Sequence, residues 1–147
     1  ESLVLCYTGL THDSGNIHND QKKQTSKKDV KERINSNVEL TYEMRDNLLK
    51  GRLTDFGKNL HQAWMNKKSF SNKISNSNLD KIYNGAIKNG AKGGKLLCAG
   101  GGGYFLFYVP PFNLHKLLKW LDKNKLKNTI FKFESRGLQS WTVREKK

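Results

Sequence analysis

Proline and cysteine are nearly missing, with two of each in 147 residues. The two prolines are adjacent, Pro110-Pro111, so they punctuate the chain once, closing an apolar run and opening a helix. Cys6 and Cys98 are too few for a disulfide framework. Both sit in apolar strand candidates and read as buried, reduced thiols. His12, His18, His61 and His115 are scattered and share no ligand spacing with the cysteines, so no metal site is expected. No apolar run approaches the roughly 20 residues that span a bilayer. No charged leader followed by a long apolar run is present either, so neither a membrane anchor nor a signal peptide is expected and the cytoplasm is the inferred location.

Acidic residues are scarce: 13 Asp and Glu against 27 Lys and Arg give a net charge of +14. Such a balance raises nucleic acid as a partner. Arginine, however, is confined to Arg33, Arg45, Arg52, Arg136 and Arg144. A reader of guanine or phosphate favours arginine's bidentate fork. The lysines are spread along the whole chain among asparagines and read as a solvated surface. Specific nucleic-acid binding is therefore not expected. A stand-alone basic α+β module that binds RNA remains the alternative class. The length suits a single domain. The chain opens at Glu1 and enters Leu3-Val4-Leu5-Cys6-Tyr7 at once, as a piece of something longer would.

What the sequence does have is one organising stretch, Gly93 to Val109. Lys95 to Cys98 is a short strand candidate, and Tyr104 to Val109 a longer aromatic one. Between them Ala99, Gly100, Gly101, Gly102 and Gly103 carry almost no side chain. Four consecutive glycines lose much backbone freedom on folding, so positive φ or close approach should require them. Consecutive N–H groups in such a bend could also form a concavity for an anion. A plain hairpin loop is the bland reading. A Walker A loop is excluded, because Gly90 to Lys95 is one residue short and Leu96 stands where Ser or Thr belongs. A dinucleotide fingerprint fails because a strand follows, not a helix.

Along the chain, Ser2 to Gly9 is a first strand and Thr11 to Lys28 a polar loop. A helix is expected from Ser26 to Lys50, with Ser26 and Asp29 as a capping box. Its apolar stripe is Val30, Ile34, Val38, Thr41, Met44 and Leu48. A second helix runs from Thr54, as cap, to Phe70, antiparallel to the first. A third, capped by Ser77 or Asn78, carries Leu79, Ile82, Tyr83, Ala86 and Ile87, and stops at Asn89-Gly90. A fourth carries Leu114, Leu117, Leu118 and Leu121. Two closing strands, Thr129 to Phe133 and Leu138 to Val143, flank a turn at Glu134-Ser135-Arg136-Gly137. This order predicts an α+β fold with helices on one face of an antiparallel sheet.

Lys95-Leu96-Leu97-Cys98-Ala99-Gly100-Gly101-Gly102-Gly103, followed by an apolar strand, resembles the third conserved motif of the GHMP kinases. Thr8-Gly9-Leu10-Thr11, Leu53-Thr54-Asp55-Phe56-Gly57, His61-Gln62-Ala63-Trp64, Lys67-Lys68-Ser69, Lys73-Ile74-Ser75-Asn76 and Val109-Pro110-Pro111 resemble the branch acting on heptose 7-phosphate. One position departs: the family usually has Gly where Cys98 stands. The resemblance covers residues 1–147 but only the C-terminal, substrate-side half of such an enzyme. It implies a ferredoxin-like domain with a four-stranded antiparallel sheet, and a missing N-terminal ATP-binding domain. It also implies ATP and Mg²⁺ in the intact enzyme, neither held by this piece alone, and a sugar phosphate as substrate. A homodimer is left open.

The resemblance places Ala99 to Gly103 at the active site, where bare main chain lets the phosphate side close. Thr8, Gly9, His12, Asp13, His61 and Lys67 become substrate-side candidates, with Ser14 beside them. On the second helix His61, Trp64, Lys67 and Lys68 read either as a polar wall facing the sugar or as a core tryptophan among surface lysines. No side chain is expected to be a catalyst, and the piece alone is expected to be inactive.

Overall fold

Alternation in the first apolar run makes a half-buried strand, β1 (Leu3–Tyr7), which turns Val4 and Cys6 inward. The computed structural model describes residues 2–11 and 28–142. After β1 come α1 (Lys28–Leu49), α2 (Leu53–Lys68), α3 (Ser77–Lys88), β2 (Gly93–Leu96), β3 (Tyr104–Tyr108), α4 (Pro111–Lys123) and β4 (Asn128–Thr129). The strands form one antiparallel sheet in the order β2-β3-β1-β4. The expected α+β class and four-stranded antiparallel sheet stand.

Register builds the core. Val4 pairs with Phe107 and Cys6 with Phe105, so the four side chains share one face of the sheet. Trp64 from α2 meets Phe105 edge-on, with centroids 5.4 Å apart, and Tyr83 from α3 lies 5.8 Å from Phe105. Leu79, Leu117 and Leu121 complete the layer. Trp64, Phe105, Phe107 and Leu117 are fully buried, each contributing about 1.5–3 kcal/mol or more by its removal from water.

Local signals explain the helices. Asn76 caps α3, its Oδ1 accepting from the N–H groups of Asn78 and Leu79 at 3.0 Å. The cap is thus Asn76, not Ser77 or Asn78, and the helix starts at Ser77. Leu79, Tyr83 and Ala86 form its buried stripe. Pro111 opens α4 as expected. Antiparallel α4 packs on α3 because Gly85 lacks a side chain where the Trp120 indole lies. Helix α2 begins after Arg52, which offers no side-chain cap, so Thr54 falls inside the first turn instead of capping it. The proposed cap at Ser26 lies outside the described residues.

Three further expectations are corrected. Helix α1 is in place, but Ile34, Val38 and Leu48 are exposed, and among its described side chains Leu40 and Asn47 are the buried ones. The reason is polar: Asn47 donates to Asn59 at 2.8 Å, and Asn66 donates to Asn37 at 2.9 Å. These pairs draw a different face of α1 onto antiparallel α2. Strand β2 is Gly93–Leu96 and not Lys95 to Cys98. Its two glycines belong to the strand because each is crowded: a Cβ on Gly93 would run into the Gly57 carbonyl of α2, and one on Gly94 into Phe107 and the Leu106 carbonyl of β3. The closing strands reduce to Asn128–Thr129 among the described residues. Beyond them Ile130, Phe133, Leu138 and Trp141 are exposed, with no sheet face to cover them. The Glu134–Gly137 bend does occur, with the Arg136 N–H donating to Glu134 Oε1 at 2.7 Å.

Two outcomes follow. Gly93→Ala should cost about 3 kcal/mol in urea denaturation, since the helix must lift from the strand; a loss under about 1 kcal/mol would mean α2 yields freely. Burial holds the Cys6 thiol up at about 11, against an ordinary 9.0. Unfolding frees it to ionise, so its contribution is whole below pH 9.0 and lost as pH rises towards about 11. Stability of wild type minus that of Cys6→Ala should decline across that window.

Candidate functional site

The bare bend between β2 and β3 is tied down on three sides. The Leu97 N–H donates to Tyr104 O at 2.9 Å, closing the hairpin base. The Gly101 N–H donates to Ile74 O at 2.8 Å, and the Gly103 N–H to Leu10 O at 2.9 Å. Thr8 donates twice to Gly103 O, from its N–H and from Oγ1, each at 2.9 Å. Its Oγ1 also accepts from the Leu10 N–H at 3.3 Å. Thr8 is thus a strut beneath the loop, and Gly9, exposed at φ 74°, carries the chain around it.

Both demands inferred for the glycines are met. Gly100, Gly101 and Gly103 have φ of 121°, 77° and 91°, the left-handed region that side chains disfavour. A Cβ on Gly102 would stand 2.6 Å from Leu10 O, and one on Gly100 would stand 3.0 Å from Ile74 Cα. The expected run of consecutive free N–H groups is corrected, since those of Gly101 and Gly103 are spent on neighbouring carbonyls. Ala99, Gly100 and Gly102 are buried, so the bend lies against the body of the domain. Beside it opens a groove of about 290 Å³, lined by Thr8, Leu10, Asn78, Lys81, Trp120 and Asn124 among others.

Cys98 departs from its expected burial. It is exposed and left-handed, with φ 57°, at the point where β2 turns into the bend. The strand ends at Leu96, which leaves this thiol outside the sheet.

The polar wall expected on α2 separates into unlike pieces. Trp64 is wholly buried, a core residue whose Nε1 has no hydrogen-bond partner among the described residues. His61 Nδ1 lies 2.7 Å from the Tyr83 hydroxyl, whose acidity burial suppresses to a pKa of about 12. His61 sits beside Gly93, at the start of β2, whereas the loop leaves its other end. Lys68 turns to Asp80 at 3.3 Å, and Ser75 Oγ donates to the same carboxylate at 2.9 Å. Only Lys67 reaches the bend: its Nζ donates to Leu96 O at 3.2 Å and to Cys98 O. Burial first, then repulsion from Lys95, lowers its pKa to about 8, with Cys98 opposing. Sequence alone could not separate these residues, since all share one helix. His12 and Asp13, with Ser14, lie outside the described residues.

Among the described residues no three His, Cys, Asp or Glu side chains come together to hold a metal ion. No helix among them is long and apolar enough to cross a membrane. Among the described residues the site brings together pinned main chain, a groove and lysines.

The profile described as "GHMP kinases C terminal" matches residues 44–125. The chain is 30% identical over 140 residues to D-glycero-alpha-D-manno-heptose 7-phosphate kinase of Campylobacter jejuni. That alignment covers 95% of this chain but 41% of the relative, so the chain spans about two fifths of its length. A mevalonate kinase from L. major, solved with R-mevalonate, superposes with a TM-score of 0.75 at 22% identity, over 86% of this chain and 40% of that one. A further mevalonate kinase gives 0.68 at 25% identity, over 86% and 38%.

The strained position yields a measurable outcome. Cys98→Gly removes a left-handed side chain and loosens the unfolded chain, effects of about 1–2 and 0.4–1 kcal/mol in opposite directions. Denaturation should register a net gain of up to about 1 kcal/mol; a loss would mean the thiol contributes packing that outweighs its strain.

Proposed function

The chain belongs to the GHMP kinases as their C-terminal domain, and from that premise we propose that it forms the substrate-side half of an ATP-dependent sugar kinase. The acceptor in this reading is a sugar phosphate of the heptose 7-phosphate kind, the substrate named for the Campylobacter jejuni relative. The reaction moves the γ-phosphoryl group of ATP onto a hydroxyl of that sugar. One observation carries the reading: the Ala99–Gly103 bend is stripped of side chains and pinned, so that a bulky anion and its carrier domain could approach the main chain.

Phosphoryl transfer asks a protein mainly to position two reactants and to stabilise spread negative charge. This chain's part is positional. Thr8, Leu10 and Ile74 fix the bend by hydrogen bonds to Gly101 and Gly103, so little reorganisation is needed when phosphate closes on it. The adjoining groove presents the Lys81 ammonium and two asparagine amides, groups suited to phosphate and hydroxyls. Among the described residues no group of three His, Cys, Asp or Glu side chains is available to hold Mg²⁺. ATP, the metal and the base fall to the remainder of such an enzyme. The proposed setting is the cytoplasm, where ATP is made and both thiols stay reduced.

The purified 147-residue chain should show no ATP turnover. Joined to an N-terminal kinase half that carries a glycine-serine phosphate loop, it should phosphorylate heptose 7-phosphate. Gly102→Val in that joined enzyme should abolish turnover while the domain stays folded. Turnover by the isolated chain, or full activity of the variant, would refute the reading. RNA binding that persists with sequence preference at physiological salt would favour the basic-module alternative; binding lost by then would count against it.

A further inference from the structure

We propose that Lys67 is the positioning residue of the Ala99–Gly103 bend, its ammonium gripping the two carbonyls that flank the turn out of β2. Leu96 is the last residue of β2, and Cys98 is the left-handed residue two positions on. Their carbonyl oxygens converge on the same Nζ. Between them Leu97 points its N–H the other way, to Tyr104 O at 2.9 Å. The chain is thus held from both sides as it leaves the sheet. Such a grip selects the left-handed Cys98 conformer, because an extended residue there would swing its carbonyl away from the ammonium.

The lysine's surroundings favour this role over an ion pair or a solvated surface. It is half-buried, and the charged or titratable groups facing it are Lys95 on β2 and Cys98 in the bend. Among the described residues no carboxylate pairs with it; Asp80 is taken by Lys68 and Ser75. A buried ammonium facing another cation is retained at a cost, which the two carbonyls offset by charge-assisted bonds. The bend has two later ties, at Gly101 to Ile74 O and at Gly103 to Leu10 O. Lys67 supplies the first, and the later two depend on the chain leaving Cys98 in the right direction. The consequence for phosphoryl transfer rests on the kinase reading above; the grip itself does not.

Amide hydrogen exchange on the 147-residue chain tests it. In Lys67→Met the Gly101 and Gly103 amides should exchange tenfold faster or more at pH 7, while those of β1 and β3 stay within about twofold of wild type. Lys67→Arg, which keeps charge and donors, should bring both loop amides back to within about threefold. In wild type, loop exchange normalised to the β1–β3 amides should climb above pH 8, as the ammonium is lost, and in Lys67→Arg it should not. Unchanged loop amides in Lys67→Met overturn the proposal. So does loop and strand exchange rising together, which would make the lysine ordinary packing. Should Lys67→Met fail to fold, the wild-type pH profile against that of Lys67→Arg decides. Failure of the joined enzyme to turn over ATP would refute the kinase reading and leave these exchange rates untouched.

Discussion

The closeness of one helix to one strand governs this domain. Gly93 and Gly57 face each other with no side chain between them, and a Cβ on Gly57 would stand 2.6 Å from Tyr108 Cδ1. Helix α2 therefore lies on β2 at backbone distance and runs alongside it. Ten residues of helix advance about 15 Å, the three strand steps from Gly93 to Leu96 advance about 10 Å, and the lysine side chain covers the difference. Contact at Gly57 thus carries Lys67 to the strand's exit, where its ammonium meets the carbonyls of Leu96 and Cys98. The same contact leaves His61 at the other end, hydrogen-bonded to Tyr83. Two residues of one helix, His61 and Lys67, acquire unrelated roles because the helix is tied to the strand at a fixed register.

The glycines divide by the demand each meets. At Gly93 the demand is another element's backbone, with the residue itself in a regular strand. In the bend, Gly102 meets a close approach by Leu10 and Gly101 a left-handed φ, so neither kind of bareness alone explains the run. The bend is cinched to the body through Ile74, Leu10 and Thr8. A pinned loop cannot offer every N–H to a ligand, but it holds a fixed shape, and preorganised main chain contributes more to charge stabilisation than mobile main chain does.

Much of this was legible in the residues. The element order as far as α4, the stripe of α3, the proline start of α4 and the glycine bend all follow from local signals that agree with the final packing. What escaped was tertiary. The face of α1 could not be read, because its apolar periodicity points to Ile34 and Val38 while asparagine pairs decide which side meets α2. Cys98 looked like a strand residue because its neighbours are apolar; its left-handed turn follows from the strand ending two residues earlier. The segment from Ile130 to Trp141 has strand composition without a strand, since composition supplies no pairing edge. Lys67 was singled out beside His61, Trp64 and Lys68, yet only the α2–β2 register distinguishes it.

That register also explains why a charged residue stands where an apolar one would pack more cheaply. A methionine at position 67 would spare the desolvation of an ammonium next to Lys95, but would leave two strand-end carbonyls with no donor from α2. Without that donor nothing on α2 holds the chain's direction, and exposed Cys98 would be free to turn differently. The lysine therefore trades stability for a single loop conformation, a bargain that makes sense where shape matters more than strength. In this domain such a place lies at one end of the sheet. There Thr8 and Leu10 from β1's exit and Ile74 from the segment before α3 hold the bare main chain, and Lys67 from α2 holds its entry.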